Sequence, residues 1–177
     1  MKKTDSGLLI VNTGNGKGKT TAAFGLALRA AGQGLKVLII QFMKGQDNIG
    51  ELKALKKCNL PIEVNRFGRA GFVQSRACEP LDIYLAQQGL DCFRNAIAIS
   101  DHDMIILDEI LVAIDFGLLK EKAVCEVLKK RLPHVHIMLT GRNASETIID
   151  MADMVTNMEE LKHPYNVGFK AQVGIEF

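Results

Sequence analysis

The residues best suited to chemistry are concentrated in TGNGKGKTTAAFG (Thr13–Gly25), where Thr13 to Lys19 contains three glycines and two lysines. Glycines at 14, 16 and 18 let backbone N–H groups approach an anion with no Cβ in the way. A helix starting just beyond them would add the partial positive charge of its N-terminus. Lys19 is placed to reach phosphate oxygens, and the hydroxyl of Thr20 to bind Mg²⁺. The strict pattern G-x-x-x-x-G-K-[ST] asks for glycine at position 13, where this chain has Thr13. The candidate nucleotide contacts are therefore Thr13, Gly14, Asn15, Gly16, Lys17, Gly18, Lys19, Thr20 and Thr21.

A cation held by Thr20 needs acidic partners, and MIILDEI (104–110) ends an apolar run in Asp108 and Glu109. Such strand ends face the ligand crevice of a parallel sheet, so either carboxylate could reach the metal or its water. Acids also favour a helix N-terminus, which is the plainer explanation of the same pair. LTGR (139–142) ends a third apolar run, placing Arg142 on the same crevice edge for a phosphate, or else in a surface loop. RFGRAGF (66–72) spaces Arg66, Phe67, Arg69 and Phe72 around glycines. It suits a nucleobase, a single nucleic-acid strand or a macrocycle, and equally a packed turn. The four histidines have no metal-ligand spacing, and no nucleophilic triad is apparent.

The elements that must carry these residues are legible as short apolar runs at 8–13, 36–42, 62–64, 104–109 and 135–141. Continuous rather than alternating apolarity marks strands buried on both faces of a parallel sheet. Helical patterns cover 20–31, 76–99, 120–131 and 144–151, with Gly89 a weak point in the second, and the lysines of LKALKK (52–57) read as a solvated helix face. Strands alternating with helices predict a three-layer α/β domain spanning 1–177. A hydrophobic share of 47% and a charged share of 24% fit a folded globular chain; from a net charge of +2 alone no polyanion partner follows, and any basic site must be local. Cys58, Cys78, Cys92 and Cys125 show no CxxC spacing, and Cys78 and Cys92 in one helical run and Cys125 in another read as buried free thiols. MKKTDSG is too short and polar for a secretory signal and no run approaches a membrane span, so the cytoplasm is the expected compartment.

Together these segments resemble the P-loop-type ATP:corrinoid adenosyltransferases. The matching pieces are TGNGKGKTTAAFGLALRAAGQG (13–34), QFMKG (41–45) with GE (50–51), ILDEI (106–110), LTGR (139–142), AD (152–153) and KHPYNVGFKAQVGIEF (162–177). The resemblance implies a RecA-like P-loop fold with a mostly parallel sheet. It also implies attack of Co(I) on C5′ of ATP, with the whole triphosphate leaving. Lys19, the Gly14–Thr21 loop and Mg²⁺ would then neutralise the leaving group, and Thr20 with Glu109 and Asp108 would hold the metal. Phe72 matches the loop aromatic that excludes water and the corrinoid's lower ligand. Implied partners are a reductase for cobalt and a second copy in a homodimer, with neither nucleic acid nor membrane. Two departures stand out. Members often carry a tryptophan just beyond that phenylalanine, where this chain has Val73 and Gln74. Many also have a helical extension where only MKKTDSG precedes the first strand here; a more open corrinoid site, weaker affinity or an altered corrinoid preference would each be compatible with these departures. Competing readings of the loop are an NTPase acting on nucleic acid, disfavoured by near-neutral charge, and an ATP sensor, disfavoured by the paired carboxylates.

Overall fold

The structure is a computed structural model that describes residues 6–45, 49–69, 78–99 and 101–176. Its frame is a six-stranded sheet, β1 (Leu9–Thr13), β2 (Val37–Phe42), β3 (Ile62–Phe67), β4 (Met104–Asp108), β5 (His136–Thr140) and β6 (Met154–Asn157), in the order β3-β2-β4-β5-β1-β6. Every adjacent pair is parallel. Parallel strands need crossovers, and the helices α1 (Lys19–Gly32), α2 (Gly50–Lys57), α3 (Pro80–Ile99), α4 (Ile110–Asp115), α5 (Glu121–Leu128) and α6 (Glu146–Met151) lie in the connections.

Alternating side chains of the four inner strands β1, β2, β4 and β5 enter two different cores, which is why these strands are largely apolar. Leu9 and Val11 pack with Leu38, Ile40, Ile105, Leu107, Ile137 and Leu139 under α3, α4 and α5. Ile10 goes the other way, with Ile39, Ile106 and Met138, beneath Ala23, Phe24 and Ala27 of α1. Two apolar layers on either face of one sheet make the three-layer α/β arrangement expected of a RecA-like P-loop fold.

Gly89 interrupts helical propensity inside α3 because that face lies on Phe42. A Cβ at Gly89 would stand 2.6 Å from Phe42 Cε1, and the ring is fully buried. Helix propensity alone would favour alanine by about 1 kcal/mol. Gly89→Ala is expected instead to destabilise the protein by about 1–2 kcal/mol through overpacking. Urea denaturation checks this, and a stabilised variant would show that Phe42 can shift.

The structure departs from the sequence reading at the edges. β3 continues to Phe67, pairing Gln41 with Arg66 and Phe42 with Phe67. Its residues are only partly buried, so Asn65 and Arg66 can interrupt the apolar run without leaving the ladder. Arg66 and Phe67 thus belong to a strand rather than a loop. β6 is exposed at every residue and carries no apolar run to announce it. α4 is a short helix that the sequence reading did not anticipate. α3 begins at Pro80, so Cys78 precedes it, and α5 ends at Leu128 rather than near Arg131. All four thiols are free and Cys125 is buried as expected, but Cys78 and Cys92 are only partly buried, the first lying ahead of α3 and the second facing the half-buried edge strand β3; Cys58 is exposed.

Candidate functional site

The carboxyl ends of β1, β2, β4 and β5 open into a cavity of about 1170 Å³ bounded by Lys19, Lys44, Glu109, Arg142 and Tyr165 among others. This sheet edge is where open α/β folds bind ligands. Three non-glycine residues have positive φ among the described residues, Met43 (58°), Glu109 (65°) and Asn143 (55°). They follow β2, β4 and β5 on this one edge. Left-handed backbone at such residues costs free energy and gathers at functional sites.

The loop after β1 leads into α1 through Gly18, whose φ of 108° is left-handed and whose would-be Cβ meets nothing within 4 Å. No side chain caps α1, so the first-turn N–H groups remain available to an anion. Gly14 and Gly16 are required for a different reason from the one the sequence suggests. A Cβ on Gly14 would collide with Asn157 and Met158, and one on Gly16 would lie 2.6 Å from Glu159 O. The Gly16 N–H donates to Met158 O at 2.7 Å, so here the strand β6 exit, not phosphate, occupies that amide.

Lys19 Nζ donates to Gly14 O at 2.6 Å and Gly16 O at 2.5 Å, closing the loop around its own ammonium. Burial pulls its pKa below the ordinary lysine value; Glu109 opposes that, and Arg142 and Lys44 add to it. Lys17 points elsewhere, donating to Ile175 O at 2.6 Å and Glu176 Oε2 at 2.9 Å. It ties the C-terminal segment, including the 3₁₀ turn Pro164–Val167, to the cavity rim.

Asp108 is fully buried at the end of β4 and accepts four hydrogen bonds, from Thr20 (3.0 Å), Thr140 (2.7 Å), Gln41 (2.9 Å) and Lys44 (2.7 Å). Burial alone would raise its pKa. The Lys44 charge, with hydrogen bonds from Lys44, Gln41 and Thr140, outweighs burial and holds the carboxyl below the usual range. Glu109 occupies the first position before α4 but its side chain does not cap that helix. Its carboxyl lines the cavity, and burial raises its pKa against the pull of Lys44. Glu109 thus faces the cavity rather than capping α4, whereas Asp108 faces inward to Thr20, Thr140, Gln41 and Lys44.

Lys44 Nζ sits among all three oxygen groups expected to hold a metal, 2.8 Å from Thr20 Oγ1, 2.7 Å from Asp108 Oδ2 and 3.8 Å from Glu109 Oε1. An ammonium at this point shows that the donor set favours a cation, and hard oxygen donors suit Mg²⁺. Gln41 Oε1, buried with no hydrogen-bond partner among the described residues, is a further acceptor beside Asp108. Lys44, Gln41 and Thr140 escaped the sequence reading as site residues. QFMKG held the signal for two of them, but only the adjacency of β2 and β4 brings them to Asp108.

Thr13 ends β1 with its hydroxyl accepting from the Ala144 amide at 3.2 Å. Arg142 is exposed on the cavity wall near Lys19 and Glu109, and Asn15 and Thr21 also line the cavity. Arg69 is engaged in the fold. It makes paired 2.8 Å bonds to Asp82 and a 2.8 Å bond to Glu79. Phe72, Val73 and Gln74 lie outside the described residues. Among the described residues no helix is long and apolar enough to cross a membrane.

The family model of the ATP:corrinoid adenosyltransferases BtuR/CobO/CobP matches residues 5–177. A corrinoid adenosyltransferase of Sinorhizobium sp is 38% identical over 99% of this chain and 83% of its own length. That of Escherichia coli strain K12 is 35% identical, covering 98% of this chain and 87% of its own. The corrinoid adenosyltransferase CobA of Salmonella typhimurium strain LT2 is 36% identical over the same shares, 98% and 87%.

Proposed function

The chain belongs to the ATP:corrinoid adenosyltransferase family, and from that premise we propose that it transfers the 5′-deoxyadenosyl group of ATP to Co(I) of a corrinoid, releasing triphosphate. The observation that carries this reading is the family match across nearly the whole chain, which includes every residue of the cation cluster. Co(I) is itself a strong nucleophile, so the protein need not supply a general base. Its task is to align cobalt, C5′ and the leaving oxygen and to stabilise charge on the departing triphosphate.

The free first-turn amides of α1, the ammonium of Lys19 and the guanidinium of Arg142 supply that stabilisation. Thr13, Gly14, Asn15, Gly16, Lys17, Gly18 and Thr21 shape the cradle. Thr20, Glu109 and Asp108 would hold Mg²⁺, which when bound neutralises triphosphate charge. Asp108, bonded to Thr20 and Thr140, fixes the hydroxyl's orientation. Phe72 is assigned to the corrinoid side, where it would exclude water and the lower cobalt ligand. Residues 1–177 act as one domain in the cytoplasm, with a reductase supplying electrons to cobalt. A homodimer is part of the same reading; Leu161, Val167, Phe169 and Val173 are large apolar side chains left exposed near the C-terminus and support it.

ATP, Mg²⁺ and chemically reduced corrinoid mixed with the enzyme are expected to yield a Co–C bonded corrinoid. Its optical spectrum reports the product, and removing Mg²⁺ with a chelator should stop its formation. A corrinoid spectrum that stays unchanged with all components present would overturn the assignment.

A further inference from the structure

Lys44 occupies the point where Thr20, Asp108 and Glu109 converge, and a divalent cation cannot share that point with an ammonium. From this geometry we infer that Lys44 is a resident cation: it keeps the metal ligands assembled in the nucleotide-free enzyme, then is displaced toward the triphosphate when Mg²⁺ enters. The inference rests on the reading that these residues hold Mg²⁺.

The two halves of Lys44 are suited to such an exchange. Its backbone is fixed. Met43 donates its N–H to Phe67 O at 2.8 Å, and a Cβ on Gly68 would collide with Lys44 N while one on Gly45 would collide with Arg69. Its side chain is 30% exposed and borders the cavity, so the ammonium can leave without unfolding the turn. Asp108 has no such freedom, being fully buried. A buried carboxylate without a cation is strongly unfavourable, which explains why a lysine fills the position when metal does not. Entry of Mg²⁺ replaces one positive charge by two and sends the displaced ammonium out beside Lys19 and Arg142. Positive charge then gathers where the triphosphate binds, coupling metal loading to capture of the leaving group. Such coupling is reciprocal, so triphosphate should in turn favour metal entry.

Lys44→Met keeps the stem and removes the charge. Mn²⁺ binding without nucleotide, read by electron paramagnetic resonance, should tighten by roughly tenfold because nothing has to be displaced. Affinity for inorganic triphosphate with Mg²⁺ present, read by calorimetry, should weaken by roughly tenfold. Changes of opposite sign are not what a general structural defect produces. Lys53→Met, on the exposed face of α2, should alter neither. Mn²⁺ affinity that is unchanged or weaker in folded Lys44→Met overturns the inference while leaving the metal site intact. Should Lys44→Met not fold, amine acylation of the wild-type enzyme followed by mass spectrometry decides. Lys44 labelling should rise roughly fivefold with saturating Mn²⁺ while Lys53 labelling stays constant, and constant labelling of both overturns the role. Absence of Mn²⁺ binding even with ATP would instead overturn the metal assignment, and this role with it.

Discussion

Lys19→Ala is expected to lower adenosyl transfer by about 10²- to 10³-fold in kcat/KM, a loss of ~3–4 kcal/mol of transition-state stabilisation. The lysine stands at the start of α1, where its ammonium already meets Gly14 O and Gly16 O within the loop. Those carbonyls hold the charge at the centre of the cradle before any nucleotide arrives, so little reorganisation is needed when charge develops on the triphosphate. The loss should fall mainly on kcat, since the interaction strengthens as the leaving group departs, and corrinoid KM should change by less than about threefold. Lys17→Ala is the informative contrast, because that ammonium faces Ile175 and Glu176. It should cost less than about tenfold, in keeping with an exposed ion pair. Steady-state kinetics on both variants checks the pair. Equal losses would contradict the separate roles given to the two lysines.

Asp108→Ala carries the second large effect, on stability and activity together. The substitution strands hydrogen-bond donors on Thr20, Thr140, Gln41 and Lys44 and breaks a buried ion pair. Partial exposure of Lys44 lets its charge reach solvent, so the expected cost is about 2–4 kcal/mol, the lower part of the range for such pairs. Asp108→Asn keeps the volume and some hydrogen bonds and should cost less stability, yet lose nearly as much activity because a metal needs the charge. The folded pKa of Asp108 is depressed below its ordinary 3.8. Its ionised form therefore contributes stability that is fully present above that value and is lost as pH falls through the folded pKa. The acid limb of the stability curve below about pH 4 should flatten in Asp108→Asn. Urea denaturation across pH 2–6 would detect this, and superimposable acid limbs would place the ionisation elsewhere.

The central strands and the glycine-rich turn between β1 and α1 could be read from sequence because both depend on local pattern. β1, β4 and β5 each send side chains into two cores and so appear as unbroken apolar runs. β3 and β6 lie at the sheet edges, where one side meets solvent and the pattern fades. Asp108 and Glu109 stood out as carboxylates ending an apolar run. Their partner Lys44 did not, since 64 residues separate it from Asp108 and only the pairing of β2 with β4 joins them. The glycines of the loop stand out in the sequence as anion contacts, but the contacts that demand Gly14 and Gly16 in the structure come from Asn157 to Glu159 at the far end of the chain. Arg69 shows the opposite limit. A loop arginine beside aromatics fitted a ligand and a packed turn equally, and its bonds to Asp82 and Glu79 make it a clamp between the β3 exit and α3.

The fate of the phosphates separates adenosyl transfer from nucleotide hydrolysis. Phosphorus-31 resonance on reaction mixtures containing ATP, Mg²⁺ and reduced corrinoid should show intact triphosphate, formed one for one with Co–C bonded corrinoid and absent when corrinoid is omitted. Release of ADP and inorganic phosphate, with no corrinoid-dependent triphosphate, would rule out adenosyl transfer and mark the cradle as that of an NTPase.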